Sequence, residues 1–276
     1  MVTTTHRVLN KLADTQDLQR LARRAVAQRL VQMKALLDEA QLPYSRQAAD
    51  HWLRIWEYSG AVVESGVDGR MRVLDAGGTG TVLSYYLAAE GCRVTTVDIN
   101  AQKLGDTRIT TPALGLVMDH VLASITDLPF ASASFDAVFC VCVIEHVART
   151  EQGRGMRELG RVLRPGGILA LTFDYGCEGA DNPFLSPQEV VDRLIVPSEL
   201  AVIGNLALDV DPDDFGGANA RYTFGSLFLG KPGRLSLPPE SAPMRLDAFP
   251  ALARREAASP ISRSPAAPCS VAPSRA

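Results

Sequence analysis

The most constraining feature of this sequence is a strand, a glycine turn and a helix at residues 72–87. This segment reads Arg-Val-Leu-Asp-Ala-Gly-Gly-Thr-Gly-Thr-Val-Leu-Ser-Tyr-Tyr-Leu, and a second strand follows one helix length later and ends at Asp98. Gly77 and Gly78 let the backbone approach a ligand closely, and the helix after them points its N-terminal amides at that ligand. Because Asp98 follows Gly77 at about the 20-residue spacing that brings a carboxylate to a ribose, this βαβ unit predicts a nucleoside site.

The composition is that of a globular enzyme. The chain has 276 residues, of which 46% are hydrophobic and 21% charged, and its formal net charge is −3. A pI of about 5.8 argues against nucleic acid as a partner, because proteins that bind it usually carry a basic patch. The N-terminus lacks the apolar core of a signal peptide and no apolar run reaches about 18 residues, so neither export nor membrane insertion is expected. We predict a cytoplasmic monomer or homodimer.

The cysteines predict neither disulfides nor a metal site. There are five, an odd number, and they are unevenly spread. Cys140 and Cys142 lie two apart in a predicted strand and are therefore expected to point to the same face. No second pair accompanies them to build a zinc site. Buried free thiols in a reducing compartment are the expected state.

Strand and helix patterns alternate through residues 68–232. This alternation predicts an α/β, Rossmann-like, doubly wound sheet of seven mostly parallel strands. Only a loop rich in Asp and Gly separates the last two strands, so the last strand is expected to be antiparallel. The predicted strands are Arg72–Asp75, Arg93–Asp98, His120–Ser124, Ala137–Val143, Ile168–Phe173, Leu200–Leu208 and Tyr222–Leu229. The predicted helices are Thr81–Glu90, Arg149–Leu163 and Pro187–Leu194.

Two further parts flank this core. Residues 1–67 form a predicted helical extension, with helices at Asp14–Glu39 and Ser45–Tyr58 that must dock on another element because short helices are unstable alone. Residues 233–276 hold eight of the 17 prolines amid alanine, serine and arginine. Such a segment buries too little apolar surface to offset its ordering entropy, so we expect disorder. The tail is either dispensable or uses its arginines for docking.

Four motifs after the first two strands identify a family. They are an acidic-Leu-Pro-Phe turn at Asp127–Phe130, a strand entry at Ser134–Asp136, a Glu-His pair at Glu145–His146 and a turn at Arg164–Gly167. In order and spacing, together with the glycine turn, they resemble the class I S-adenosylmethionine-dependent methyltransferases, in particular the type 11 group. The resemblance covers residues 70–232. It implies S-adenosyl-L-methionine as cofactor and methyl transfer to a small-molecule acceptor.

The glycine loop departs from the family pattern. The family reads Asp-x-Gly-x-Gly-x-Gly, whereas an ungapped alignment here places threonines at 79 and 81, and Gly80 falls out of phase. Either the loop is one residue shorter, or the threonine hydroxyls face the ligand or cap the next helix.

The position that usually offers a carboxylate to the adenine amino group is also changed, because it is Ser124. Its hydroxyl can accept a hydrogen bond, and Ile125 can add a backbone N–H and an apolar wall. The cofactor-binding residues predicted from the resemblance are Asp75, Gly77, Gly78, Thr79, Asp98, Ile99, Ser124, Ile125 and Val143.

Catalytic candidates follow the fourth and fifth strands, where ligands collect in open α/β sheets. Glu145 and His146 follow the fourth strand, and Asp174 and Tyr175 follow the fifth. Methyl transfer mainly requires alignment of the acceptor, and a base is needed only where the acceptor must lose a proton. His146 is a candidate base, although the resemblance also implies a role in positioning the loop and cofactor. Asp174 and Tyr175 are candidate substrate contacts.

The N-terminal helices leave two possibilities open. In the resembling family such helices commonly lie over the cofactor pocket and help to form the substrate site; otherwise they only cover the sheet or make a dimer contact. Trp52, Trp56 and Tyr58 in the second helix could line an apolar acceptor pocket, or serve as plain packing residues.

Two other functions are compatible with parts of the sequence. An NAD-dependent oxidoreductase would share the glycine turn and Asp98, but the Leu-Pro-Phe and Arg-Pro-Gly-Gly turns argue against it. A non-catalytic relative that acts as a scaffold would account for the irregular glycine loop. Cofactor identity separates the methyltransferase from the oxidoreductase, and ligand binding separates it from the scaffold.

Overall fold

A seven-stranded sheet forms the centre of the protein. The structure is a computed structural model that describes residues 10–11, 21–45, 52–176, 183–208 and 223–233. In chain order the strands are β1 (Asn10–Lys11), β2 (Arg72–Ala76), β3 (Arg93–Asp98), β4 (Met118–Leu122), β5 (Phe135–Val141), β6 (Leu163–Tyr175), β7 (Ala201–Val202), β8 (Leu206–Ala207) and β9 (Thr223–Gly230). The helices are α1 (Leu21–Glu39), α2 (Trp52–Ser65), α3 (Val82–Ala89), α4 (Ala101–Ala113), α5 (Arg149–Val162), α6 (Pro187–Val190) and α7 (Val196–Ser198). A 3₁₀ helix (Ile144–His146) precedes α5, and a π-helical turn (Val191–Ile195) joins α6 to α7.

The strand order is β4-β3-β2-β5-β6-β9-β7. Pairings from β4 through β6 are parallel, and β9 runs antiparallel to both β6 and β7. The predicted fold, a mostly parallel seven-stranded sheet with an antiparallel last strand, is therefore confirmed. The parallel pairing brings the carboxyl ends of β2, β3 and β5 to one edge, where open α/β sheets bind ligands.

The prediction of a single strand at Leu200–Leu208 is wrong, because two short strands, β7 and β8, lie there. Ala201 and Val202 pair with β9, but Leu206 and Ala207 pair in parallel with β1 in a separate two-stranded sheet. Gly204 lies between the two pieces with a φ of +78°. A residue in this conformation ends regular strand pairing, so the chain leaves the main sheet there.

The strands bury both faces, as expected for a parallel sheet covered by helices. On one face, Val138 and Leu171 pack against residues of α5 such as Met156. On the other face, Phe139 packs in a cluster that includes Leu30 of α1. The N-terminal helices therefore cover one side of the sheet.

Two helix predictions differ from the structure. Helix α2 continues to Ser65, because the Ser59 hydroxyl donates to the Trp56 carbonyl within the helix and Ala61 and Val62 are buried. The predicted end at Tyr58 is therefore wrong. The predicted beginnings of the two N-terminal helices adjoin residues 12–20 and 46–51, which lie outside the described residues.

Helix α4 was not predicted at all. Asn100 caps it, since its side-chain oxygen accepts hydrogen bonds from the backbone amides of Gln102 and Lys103. Pro112 falls in its last turn, where it marks the end of the helix.

The remaining predictions on chain organisation have mixed outcomes. In the part of the chain that the structure describes, no helix combines the length and apolarity needed to cross a bilayer. Cys92, Cys140 and Cys142 are free thiols. The proline-rich tail from residue 234 lies outside the described residues, and the predicted division into residues 1–67, 68–232 and 233–276 stays a prediction.

Candidate active site

The glycine loop joins β2 to α3 at the carboxyl edge of the sheet. Gly77 adopts a φ of +82°, and its backbone amide donates to the Val97 carbonyl at 2.7 Å, which ties the loop to the end of β3. Gly80 adopts a φ of +76°. The Thr81 hydroxyl accepts from the backbone amide of Ser84 and caps α3. The glycine that falls out of phase in the sequence thus supplies the second left-handed turn, while Thr81 serves the helix cap.

Beneath the loop lies the buried carboxylate of Asp75. One of its oxygens accepts a hydrogen bond from the Ser84 hydroxyl at 2.5 Å. A Cβ added at Gly78 would lie 2.0 Å from the other oxygen, so only glycine fits there. Burial raises the pKa of Asp75 to about 6, and the hydrogen bond from Ser84 opposes this shift. Thr79 is also buried, and its hydroxyl has no hydrogen-bond partner among the described residues.

Replacing Gly77 with Ala is expected to lower the free energy of unfolding by about 1–3 kcal/mol, because its positive φ strains any other residue and its Cβ would meet the Val143 side chain at 2.5 Å. Gly105 in α4 is a matched control, since its Cβ would meet nothing within 4 Å. Gly105→Ala should raise the free energy by about 0.5–1 kcal/mol, as helix propensity requires. Urea denaturation measures both, and equal effects of the two substitutions would refute the strained loop.

Asp98 ends β3 beside the glycine loop. Its Oδ1 accepts from the backbone amide of Asn100 at 2.9 Å. Its Oδ2 is buried and has no hydrogen-bond partner in the described ranges, although Lys103 Nζ lies 3.7 Å away. Because a buried acceptor without a partner is costly, this oxygen is suited to a hydroxyl donor from a ligand. Ile99, the next residue, has 76% of its surface exposed and offers an apolar face at the same edge.

The next group of predicted cofactor residues follows β4 and β5. The Ser124 hydroxyl already contacts the Thr126 hydroxyl at 2.8 Å and accepts from the Thr126 amide at 3.1 Å. Ile125 is buried in the core under α5, with Val143 packed against the same cluster. Val143 also lies over Gly77, as the close approach to a Cβ there indicates. Apolar groups thus stand beside the loop in this region.

A cluster of buried acidic groups and a thiol lies further along the same edge. We call Glu57, Cys142, Glu145 and Asp174 the acidic cluster. Cys142 Sγ donates to Glu57 Oε1 at 2.7 Å and lies 3.9 Å from Asp174 Oδ1. Glu57 Oε1 also accepts from the Thr172 hydroxyl at 2.6 Å. Arg54 pairs with the other oxygen of Glu57 at 2.9 Å.

Glu145 is the most isolated member of the acidic cluster. Its side chain is fully buried, and neither oxygen has a hydrogen-bond partner among the described residues. Burial, followed by the nearby charges of Asp174 and Glu57, raises its pKa to about 8, and the Cys142 thiol, which lies within 4.8 Å without hydrogen-bond geometry, opposes the shift. Burial also raises the pKa of Glu57, and Arg54 opposes that change. The carboxyl groups of this part of the site therefore outnumber the cation that is paired with them, Arg54.

The three predicted catalytic residues lie in different surroundings. Asp174 belongs to the acidic cluster. His146 is exposed and is not among the potential ligand groups that meet there. Tyr175 is buried in the core, and its hydroxyl donates to the Leu208 carbonyl at 3.2 Å. Their catalytic roles stay predictions.

The N-terminal helices contribute to this edge as well as covering the sheet. Helix α2 supplies Glu57 to the acidic cluster, and the backbone amide of Ser45 donates to the Gly80 carbonyl at 2.8 Å. The aromatic residues predicted as lining are buried: Tyr58 packs in the core, and Trp56 is 2% exposed. The side chain of Trp52 lies outside the described residues.

Glu57 is the site residue that the sequence prediction missed. A signal was present, because Glu57 lies four residues before Ala61 on the apolar stripe of α2. A carboxyl group on such a stripe must be buried, and buried carboxyl groups mark functional sites more often than exposed ones.

Comparisons with known proteins agree with this geometry. Residues 74–171 match the family model described as a methyltransferase domain. The malonyl-[acyl-carrier protein] O-methyltransferase of Enterobacter lignolyticus (strain SCF1) is 40% identical over 102 residues, which are 37% of this chain and 38% of that protein. The ubiquinone/menaquinone biosynthesis C-methyltransferase of Hahella chejuensis (strain KCTC 2396) is 36% identical over 139 residues, 48% of this chain and 53% of that protein.

Among solved structures, the [4+2]-cyclase SpnF aligns with a TM-score of 0.56 over 77% of this chain and 96% of that chain, at 17% sequence identity. At this identity the likeness concerns the fold alone. The chain also spans only 38% and 53% of the two curated relatives' lengths.

Fold and family model together define the class: residues 74–171 are a methyltransferase domain, with the class I sheet that the sequence predicts. The type 11 group predicted from the motifs is the matched one. The family predicted from the sequence is thus confirmed for residues 74–171, and this match supports the predicted cofactor, S-adenosyl-L-methionine. The residues fit that cofactor, because the buried Asp98 Oδ2, which has no hydrogen-bond partner among the described residues, can accept from a ribose hydroxyl beside the glycine loop.

Proposed function

We propose that this chain transfers a methyl group from S-adenosyl-L-methionine to a small-molecule acceptor at the carboxyl edge of its sheet. S-adenosyl-L-methionine supplies a methyl group on a positively charged sulfur. The observation that carries the proposal is the acidity of this edge, where Asp75, Asp98, Glu57, Glu145 and Asp174 are all less than 10% exposed.

The charge of the edge favours this cofactor over a dinucleotide. Arg54 pairs with Glu57 and Lys103 with Asp98, so in the described part of the chain the acidic groups outnumber these paired cations. Burial raises the pKa of Asp75 to about 6 and that of Glu145 to about 8, and neighbouring carboxyl groups add to both shifts, so a further negative charge would be unfavourable here. A sulfonium ligand relieves this imbalance, whereas the pyrophosphate of NAD would add two negative charges to it.

Each part of the edge has a proposed task. Asp98 Oδ2 accepts hydrogen bonds from the ribose hydroxyls, and Ile99, Ile125 and Val143 provide apolar contacts for the adenine. Ser124 adds a hydroxyl near the adenine. The glycine loop binds the remainder of the cofactor through its backbone.

The acceptor side is proposed to lie at the acidic cluster. Glu145 is positioned to hold a proton removed from an acceptor hydroxyl or amine, since a buried carboxyl group with a raised pKa can act as a base near neutral pH. Asp174, in the same cluster, is proposed as a substrate contact. Tyr175 and His146 remain proposed as substrate contact and base from the resemblance. We also propose a cytoplasmic location, as a monomer or homodimer, with no nucleic-acid partner.

Asp98→Ala is expected to weaken S-adenosyl-L-methionine binding by about 10- to 100-fold. The reason is that a hydrogen bond to a charged group contributes about 1.5–3 kcal/mol, and each 1.4 kcal/mol is about a factor of ten. Isothermal titration with S-adenosyl-L-methionine, S-adenosylhomocysteine and NAD(H) measures this loss. Asp119→Ala is the matched control, because Asp119 is an exposed aspartate on the neighbouring strand β4.

The same titrations distinguish the other functions. Tighter binding of NAD(H) than of S-adenosyl-L-methionine would refute the proposal in favour of the oxidoreductase. Binding of S-adenosyl-L-methionine that is equally weakened by both substitutions would refute the assignment of Asp98. A turnover assay with a panel of hydroxyl, amine and carbon acceptors complements the titrations. Binding of S-adenosyl-L-methionine without formation of S-adenosylhomocysteine from any acceptor would favour the scaffold.

A further inference from the structure

Three potential metal ligands meet within the acidic cluster. They are the thiol of Cys142 and the carboxyl groups of Glu145 and Asp174, and one ligand atom from each lies within 4.8 Å of the other two. Cys142 follows β5, Glu145 belongs to the 3₁₀ helix, and Asp174 is on β6. The fold therefore brings together donors that the sequence separates by up to 32 positions.

Glu145 shows that this place is built for a ligand. Its side chain is 0% exposed, and neither carboxyl oxygen has a hydrogen-bond partner among the described residues. Burying a polar group without a partner costs a protein about 1–3 kcal/mol, and more for a charged group. Because one Glu145 oxygen lies within 4.8 Å of both other donors, a cation between them would remove that cost.

The backbone directs Cys142 into the same place. Cys142 has a φ of +49°, a conformation that a non-glycine residue rarely adopts. Its thiol contacts Glu57 of α2, whereas Cys140 packs with the core under α5. The left-handed turn thus separates two cysteines that regular strand geometry would place on one face, and it delivers one of them to the acidic cluster.

We propose that Cys142, Glu145 and Asp174 bind a divalent transition-metal ion, and that Zn²⁺ is the ion their donors suit best. Zinc accepts thiolate and carboxylate ligands, and three protein ligands leave one position open, as in catalytic zinc sites. Zinc–sulfur and zinc–oxygen bonds of about 2.3 and 2.1 Å place two donors about 3.6 Å apart in a tetrahedron. The 3.9 Å between Cys142 Sγ and Asp174 Oδ1 is close to that spacing.

Glu57 accounts for the proton that metal binding displaces. Cys142 must bind as thiolate, and its thiol already donates to Glu57 Oε1 at 2.7 Å. The thiol proton passes to Glu57, which Arg54 and Thr172 hold in place, and the carboxyl proton of Glu145 is released to solvent when the ion binds. With the ion bound, Glu145 and Asp174 serve as its ligands and Glu145 no longer acts as a base, and the open position on the ion would take water or an oxygen of an acceptor. The sequence predicts no metal site because no second cysteine pair accompanies Cys140 and Cys142, and in the proposed site carboxyl groups take the place of that pair.

Zinc binding can be tested directly on the full chain, whether or not methyl transfer is found. The chain is purified without a polyhistidine tag, stripped with EDTA and titrated with Zn²⁺, and bound metal is counted by mass spectrometry. We expect about one Zn²⁺ per chain. Co²⁺ in its place should give the near-ultraviolet charge-transfer band of a cobalt thiolate.

Variants locate the ion. Cys142→Ser and Glu145→Gln should each weaken Zn²⁺ binding by at least about 100-fold, since even residues that only orient metal ligands change affinity by about 10- to 100-fold. Cys142→Ser should also abolish the cobalt thiolate band. Cys92→Ser is the matched control, because Cys92 is a buried free thiol outside the acidic cluster.

Three results would overturn the proposal. One is the absence of Zn²⁺ binding by the wild-type chain, and another is binding that Cys142→Ser leaves unchanged. The third is a chain that binds small ammonium ions but no Zn²⁺, which would assign the carboxyl groups to a cationic acceptor. If one variant fails to fold by circular dichroism, the other variant decides, because Glu145→Gln and Cys142→Ser change different ligands of the same ion.

Discussion

Arg54→Met is expected to lower the free energy of unfolding by about 3–5 kcal/mol at pH 7, because it removes the cation that compensates a buried carboxylate. Arg54 Nη1 lies 2.9 Å from Glu57 Oε2, and the Glu57 side chain is 0% exposed. Methionine keeps most of the apolar contact that the arginine stem makes, so the loss should reflect charge rather than packing. Urea denaturation in EDTA measures the change.

A double substitution identifies the cause. Once Glu57 is also changed to Gln, no buried charge is left without its partner, and Arg54→Met/Glu57→Gln should recover a large part of the loss. The exposed pair of Lys34 and Asp38, 2.8 Å apart on α1, provides the control. Lys34→Met should cost less than about 1 kcal/mol, as exposed pairs do. If Arg54→Met costs no more than Lys34→Met, the buried pair does not hold Glu57 in its charged form.

The sheet and the cofactor edge could be predicted from the sequence because their signals are local. Strands β2 and β3 are apolar runs with an aspartate at or near the end, and Gly77 and Gly78 stand between them. Such runs have one stable arrangement, in which both faces are covered and the aspartates share an edge. These residues were predicted together, and the structure brings them together.

The sequence does not predict helix α4, because several of its residues favour other conformations. It contains Gly105, three threonines and Pro112, all of which lower helix propensity. Buried contacts made by Leu104 and Thr107 stabilise it in the fold. Asn100 was the available signal, since asparagine is a preferred helix cap.

The acidic cluster could not be predicted because it depends on tertiary structure. Regular alternation would place Cys140 and Cys142 on one face, and a single left-handed residue reverses that expectation. Glu57 reaches the cluster only because α2 continues across the sheet and packs against β6 and β9. The sequence predicts the aromatic residues beside Glu57 as candidate pocket or packing residues. Two of them, Trp56 and Tyr58, are buried.

Stability should also fall as pH rises from 5 to 9, and Glu145 should account for a measurable part of the fall. The pKa of Glu145 is raised from its usual 4.5 to about 8, mainly by burial and then by Asp174. Between these two values the folded chain holds a proton that the unfolded chain releases. The contribution of Glu145 to the free energy of unfolding is therefore complete below its unfolded pKa and is lost as the pH rises through its folded pKa. The loss is at most about 1.4 kcal/mol per pH unit.

Glu145→Gln isolates this contribution, because glutamine keeps the shape of the side chain and cannot ionise. Urea denaturation from pH 5 to 9 in EDTA should show a shallower slope for Glu145→Gln than for the wild type, and the variant should be the more stable protein at pH 9. Burial of Glu57 and Asp75 raises their pKa values too, so some slope should remain in Glu145→Gln. Equal slopes in the wild type and Glu145→Gln would mean that Glu145 titrates as an ordinary carboxyl group, and that the acidic cluster is more open to solvent than its burial indicates.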